Sequence, residues 1–189
     1  MDMLFFPSIG IGWIYGWILL CVWYAVQGLS LLMVPKDVRD RLFEFDRSSW
    51  TTHQRISFAT GKMIALVFLI IAALTPITPN SIEFLTGLIL FAIGLLGLVV
   101  AIYNFQNTPL DSPVAIGLYK YSRHPQLVML FVIGIGLSIA LSSWFLLFLR
   151  IVAFGFQHPG VIAEENECLR RFGGSYREYL ESVPRYLFV

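Results

Sequence analysis

Two groups of polar residues, about forty positions apart, carry most of the chemistry this sequence has to offer. The first is Gly117-Leu118-Tyr119-Lys120-Tyr121-Ser122-Arg123-His124-Pro125, which runs straight into an apolar stretch. The second is Glu164-Glu165, followed by Phe172-Gly173 and Tyr176. Together they hold an imidazole, adjacent carboxylates and several phenol hydroxyls. Polar side chains at the ends of apolar helices are costly near a bilayer, so they point to a site more than to a scaffold. Pro125 suits the first position of a helix, which leaves the amides of the next turn free to meet an anion. A pocket built from these parts would hold a zwitterionic, aromatic-containing small molecule at the membrane edge. Cys and His are too few and too scattered for a metal site.

The frame that must bring the two groups together is a membrane one. Hydrophobic residues make up 57% of the chain and charged ones 13%, with mean hydropathy +0.74. An ordinary soluble domain is about 45–50% apolar. A formal charge of +1 gives no reason to invoke nucleic acid. Cys21 lies in an apolar run and Cys168 in the polar tail, so no disulfide framework is implied. The expected fold is all-α and polytopic, a single domain over residues 1–189 with about five transmembrane segments and an amphipathic tail.

The first expected span is Ile9–Val34, uncharged and longer than the roughly 20 residues that cross a bilayer. Its length and the lack of a basic leader speak against a cleaved signal peptide. Gly12 and Gly16 form a GxxxG pair within it. Lys36–Arg55 reads as a solvated loop or interfacial helix. Ile56–Leu74 and Ile82–Tyr103 form two further spans, joined as a tight hairpin through the uncharged Thr75–Ser81 turn, with Lys62 snorkelling toward the charged loop. Gln126–Leu141 and Trp144–Phe156 form a short hairpin whose missing length comes from Gln157–Ala163, with a kink at Pro159. Beyond Val161 two amphipathic helices are expected, the second opened by a Ser175/Glu178 capping box and ended by Pro184. The Lys and Arg residues place the first charged loop, the Lys120–Arg123 loop and the tail in the cytoplasm, with the N-terminus outside.

The order Gly-x-Tyr-x-x-x-Arg-His-Pro, then a hydrophobic hairpin, then Glu-Glu-x-x-x-Leu-x-x-Phe-Gly-x-x-Tyr-x-x-Tyr and Val-Pro-Arg resembles the C-terminal core of the isoprenylcysteine carboxyl methyltransferase family and its phospholipid-methyltransferase relatives, over about Asp111 to Arg185. The resemblance implies S-adenosylmethionine as cofactor, with S-adenosylhomocysteine as product. A small amphipathic or lipid-linked acceptor would enter from the bilayer. It places Tyr119, His124, Pro125, Gln126 and Leu127 around the cofactor, with backbone contacts from Asp111 to Val114. Glu164 would accept from its ammonium group, and Glu165 would brace the loop or exchange that role with Glu164. Two departures stand out. Leu127 and Met129 occupy positions where relatives carry Tyr and Gly, and Gly160 stands where prenylcysteine enzymes have a substrate-binding Arg.

Arg150, a guanidinium within an apolar helix, is a candidate for substrate binding, or else it snorkels or pairs with a tail carboxylate. His158 beside Pro159 reads as a solvated turn residue, and His53 receives no role. Two other readings stay open: an NADPH-dependent membrane reductase of the sterol-reductase type, which carries a similar Arg-His-Pro turn, and a non-catalytic lipid-binding or partner protein.

Overall fold

The computed structural model describes residues 3–43, 47–48, 50–109 and 112–187. They form helices α1 (Trp17–Leu32), α2 (Lys36–Phe43), α3 (Thr52–Leu74), α4 (Ile82–Gln106), α5 (Pro125–Ala140), α6 (Trp144–Phe172) and α7 (Gly174–Ser182), with a 3-10 turn at Gly117–Lys120 and no strand among the described residues. The architecture is all-helical. Three helices, α3, α4 and α6, are long and apolar enough to cross a membrane, while α1 and α5 are shorter apolar helices of 16 residues, about 24 Å each. Side chains such as Leu66, Ile70, Ile89, Ile93 and Leu96 point outward without cover. In water such a surface would be a liability, and in hydrocarbon it is matched to its solvent.

Local chemistry starts the helices where the sequence supplies it. Thr51 accepts from the Gln54 amide at 3.2 Å while the Gln54 side chain accepts from the Thr51 amide at 2.9 Å, a capping box for α3. Ser81 and Ser143 cap α4 and α6 by accepting from the amides of Phe84 and Leu146. Within the bundle α4 packs along α5, α5 meets α6, α6 lies along α3, and α1 touches both α3 and α4, which closes a ring of five helices. The α4/α5 approach is close enough that a Cβ on Gly87 would collide with the backbone of Ala140. The core between them is aliphatic and aromatic: Phe68, Phe91, Leu98, Ile133, Leu137 and Leu146.

Several expectations are corrected. Residues 9–16 do not extend α1. They belong to an extended strap in which the Leu4 amide donates to Ser142 O (2.9 Å), the Gly10 amide to Leu74 O (2.9 Å) and the Gly16 amide to Thr75 O (2.8 Å). Gly10, Gly12 and Gly16 are apolar in a hydropathy count but poor helix formers, so the uncharged run overstated the helix. The Gly12/Gly16 pair is therefore not a helix-packing motif. The α3/α4 pair is joined by a tight turn, yet the two helices hardly pack on each other, because α1 bridges them. Trp144–Phe156 and the first tail helix are one continuous α6 that runs through Pro159. Ser175 is not an N-cap either. α7 begins at Gly174 behind Gly173 in a positive-φ conformation, and the Ser175 hydroxyl donates back to Phe172 O.

Candidate functional site

Because α5 starts and α6 ends on the same side of the bundle, the loop before α5 and the tail after α6 face one another. They are stitched together. The Arg123 amide donates to Pro184 O at 3.0 Å, the Ser122 hydroxyl to Arg185 O at 3.2 Å and the Arg123 guanidinium to Leu180 O at 3.3 Å. α7 folds back so that Tyr176, Tyr179 and Val183 bury against Cys168, Leu169 and Phe172. The Tyr179 hydroxyl then reaches across to donate to Tyr119 O at 2.8 Å. Burial raises the Tyr179 phenol, so it stays a donor.

Glu165 is the centre of this junction. Its carboxylate accepts from Arg185 at 2.7 and 3.0 Å, lies 3.2 Å from Arg123 Nε and 3.3 Å from His124 Nε2. The Arg123 contact is an ion pair without a well-aligned N–H, since its Nε finds no hydrogen-bond acceptor. Hydrogen bonding to Glu165 in turn raises the Arg185 guanidinium. Glu164 differs sharply. Its side chain is 38% exposed against 6% for Glu165, and its ion pair is with His124 Nδ1, at 3.9 Å. His124 thus stands between the two carboxylates, facing each with one ring nitrogen. Geometry separates what the sequence leaves open: Glu165 is committed to protein partners and Glu164 is available.

The remaining expected residues divide. Tyr119 is buried against Phe105, accepts from Gln126 Nε2 at 2.9 Å, and keeps its proton because burial raises the phenol. Pro125 is fully buried as the first residue of α5. The amides of Gln126 and Leu127 precede the first intrahelical bond, from the Val128 amide to His124 O (3.1 Å), and so face outward from the helix start. Val114 is buried in the approach to the 3-10 turn, while Asp111 lies outside the described residues. Met129 packs against Gly97 of α4, and Gly160 against Trp50 and Phe58, where a longer side chain would collide.

Arg150 is not brought to this junction. It lies fifteen residues before Glu165 on α6, about 22 Å along the axis, so the expected pair with a tail carboxylate is not formed. His158 is also corrected. It sits within α6, 3.1 Å from the Tyr186 hydroxyl, rather than in a solvated turn.

No protein-family model, curated protein or solved structure matches this chain.

Three residues of the junction escaped sequence reasoning. Arg185 was visible only as part of Val-Pro-Arg, and Arg123 read as a topology determinant, because neither spacing nor type shows which carboxylate a cation will meet. Arg41 of α2 had no signal at all. Its guanidinium donates to Pro109 O and Ser112 O, each at 2.8 Å, and stacks over Phe105 and Phe172. It ties the chain at Pro109 and Ser112 to the ends of α4 and α6.

Proposed function

We propose that this chain is a membrane methyltransferase that takes S-adenosylmethionine at the junction of the pre-α5 loop and the tail, and passes the methyl group to a small amphipathic or lipid-linked acceptor. The single observation that carries the reading is the division of labour between the adjacent carboxylates. Glu165 is saturated by Arg123, His124 and Arg185, which leaves Glu164 partly exposed, 3.9 Å from His124, the residue that leads into α5 and its outward-facing amides. A carboxylate next to a helix N-terminus presents opposite charge preferences side by side. That donor set fits an amino-acid zwitterion, with the ammonium on Glu164 and the carboxylate on the amides.

When bound, the cofactor supplies a methyl group on an already activated sulfonium. The protein's task is then to orient the two reactants and exclude water. Glu164 and the α5 amides would orient one end, Tyr119 and Val114 would wall the site, and Arg41 would keep the loop in place. No proton needs to move if the acceptor is a carboxylate. For an amine or thiol, His124 is the group able to receive it, but its position between two carboxylates suits bracing better. The five apolar helices would then all span the membrane, α1 and α5 with thinning or tilt of the bilayer around them. The N-terminus would be outside, and the charged segment after α1, the Lys120–Arg123 loop and the Arg-containing end of α6 with its tail would gather at the cytoplasmic face.

Calorimetry in a neutral detergent tests this directly. Saturable binding of S-adenosylhomocysteine, weakened in Glu164→Gln, supports the proposal. Binding of NADPH without S-adenosylhomocysteine would transfer the site to a reductase, and binding of neither would remove both enzymes.

A further inference from the structure

Arg150 poses a separate question. It is 5% exposed, lies in the apolar part of α6, donates no hydrogen bond and forms no ion pair with any described residue, and its buried Nε lacks an acceptor. The nearest compensation is the face of Phe131, whose ring centroid is 5.8 Å from the guanidinium carbon. A cation–π contact of this kind offsets only part of what burying a cation costs. The bundle nevertheless makes room for it. A Cβ on Gly134 of α5 would collide with Arg150 Cδ and Nε, so glycine there opens the niche in which the side chain lies. A niche shaped for a cation that has no anion among the described residues lacks one half of a pair.

We propose that the Arg150 niche binds the anionic head of a membrane amphiphile. The head must be an anion, and a planar guanidinium favours a carboxylate or phosphate that can meet it through two oxygens. It must also carry an apolar chain, because the niche lies between the apolar helices α5 and α6. Arg150 lies six residues into α6 from Trp144, about 9 Å along the axis, at the end of the bundle where exposed Trp13 and Trp144 mark an interface. From the niche a line of rings descends toward the tail: Phe131 to Phe154 at 4.4 Å and Phe154 to Tyr186 at 5.1 Å. A chain whose head is held by Arg150 would lie along that line. About 22 Å of helix separates Arg150 from Glu165, so the head sits apart from the junction even though the line of rings ends at Tyr186, 6.5 Å from His124 between ring centroids; the test reads Arg150 alone and does not depend on the methyltransferase reading.

The test is thermal unfolding of the full chain in dodecyl maltoside, with dodecanoate, dodecyl phosphate, dodecanol or inorganic phosphate added, the amphiphiles at matched micellar fraction. A ligand specific for the folded state raises the midpoint. The two anionic amphiphiles should raise it by about 3 °C or more, while dodecanol and inorganic phosphate leave it unchanged. Arg150→Leu and Arg150→Gln should abolish the shift, and Arg150→Lys should keep part of it. A response to dodecanol equal to that of dodecanoate, or a shift that survives in Arg150→Leu, overturns the proposal. Inorganic phosphate acting as well as dodecyl phosphate overturns the amphiphile. If the Leu variant fails to fold, the contrast between dodecanoate and dodecanol on the unaltered protein decides alone.

Discussion

Helix α6 buries two charges of opposite sign, and the protein treats them in opposite ways. Glu165, near its C-terminal end, is surrounded by Arg123, His124 and Arg185, drawn from two other segments of the chain. Arg150, in its apolar part, meets an aromatic face and no carboxylate among the described residues. Burying an ion is justified energetically only when its partners are close and well oriented. Glu165 satisfies that condition and so reads as a fastening between loop and tail. Arg150 does not, which makes it the stranger of the two and the better candidate for a ligand contact.

Removing Glu165 should give the largest effect. Glu165→Gln leaves two guanidinium groups and an imidazole without their shared anion. Loss of about 3–5 kcal/mol is expected, read as a lower unfolding midpoint and as early proteolysis of the tail after α6. A variant as stable as the parent would mean that the hydrogen bonds Ser122 and Arg123 donate to the tail carbonyls are enough to hold the junction.

The neighbouring carboxylate should behave differently. Glu164→Gln leaves the unfolding midpoint within error, since its ion pair is a 3.9 Å contact with His124, but weakens S-adenosylhomocysteine binding by about 1.5–3 kcal/mol, or roughly 10- to 150-fold. Equal stability losses in the two variants would erase the distinction between fastening and offered group. Next in size is Arg41→Ala, which gives up two hydrogen bonds to the Pro109 and Ser112 carbonyls and the stacking on Phe105 and Phe172. A loss of about 1–2 kcal/mol in stability is expected, with Arg41→Lys intermediate because an ammonium cannot span both carbonyls as a guanidinium does.

How much of this was legible in the chain follows from the range of each signal. Hydropathy found the spans of α3 and α4 to within a few residues, because an apolar run with a Ser or Thr cap is a local property. The junction was legible as an expectation: Arg123-His124 and Glu164-Glu165 do meet, at the helix ends where the topology put them. What could not be read was partner choice. Which of two adjacent glutamates takes two guanidinium groups and an imidazole depends on the rotation of α6, and a one-residue step turns a side chain by about 100° around the axis. The strap was missed for a different reason: Gly10, Gly12 and Gly16 score as membrane-compatible while favouring irregular backbone, and backbone bonds to Leu74 and Thr75 leave no mark in side-chain pattern. The lengthening of α6 through Gln157–Ala163 and Pro159 was legible, while its continuation to Phe172 as a single helix was not, since a proline within a bundle helix is tolerated when neighbours hold the turn in place.

The smallest effect should come from the more peculiar charge. In detergent free of anionic amphiphiles, Arg150→Leu removes a guanidinium that has no anion and replaces it with a side chain of compatible polarity. The lost cation–π contact with Phe131 and the relief of desolvation oppose each other, and the space beside Gly134 accepts a leucine without a new polar demand. The expected change in unfolding free energy lies between zero and a gain of about 1 kcal/mol. A loss comparable to that of Glu165→Gln would mean that Arg150 has a protein partner after all, and would place both charges of α6 in the same structural class.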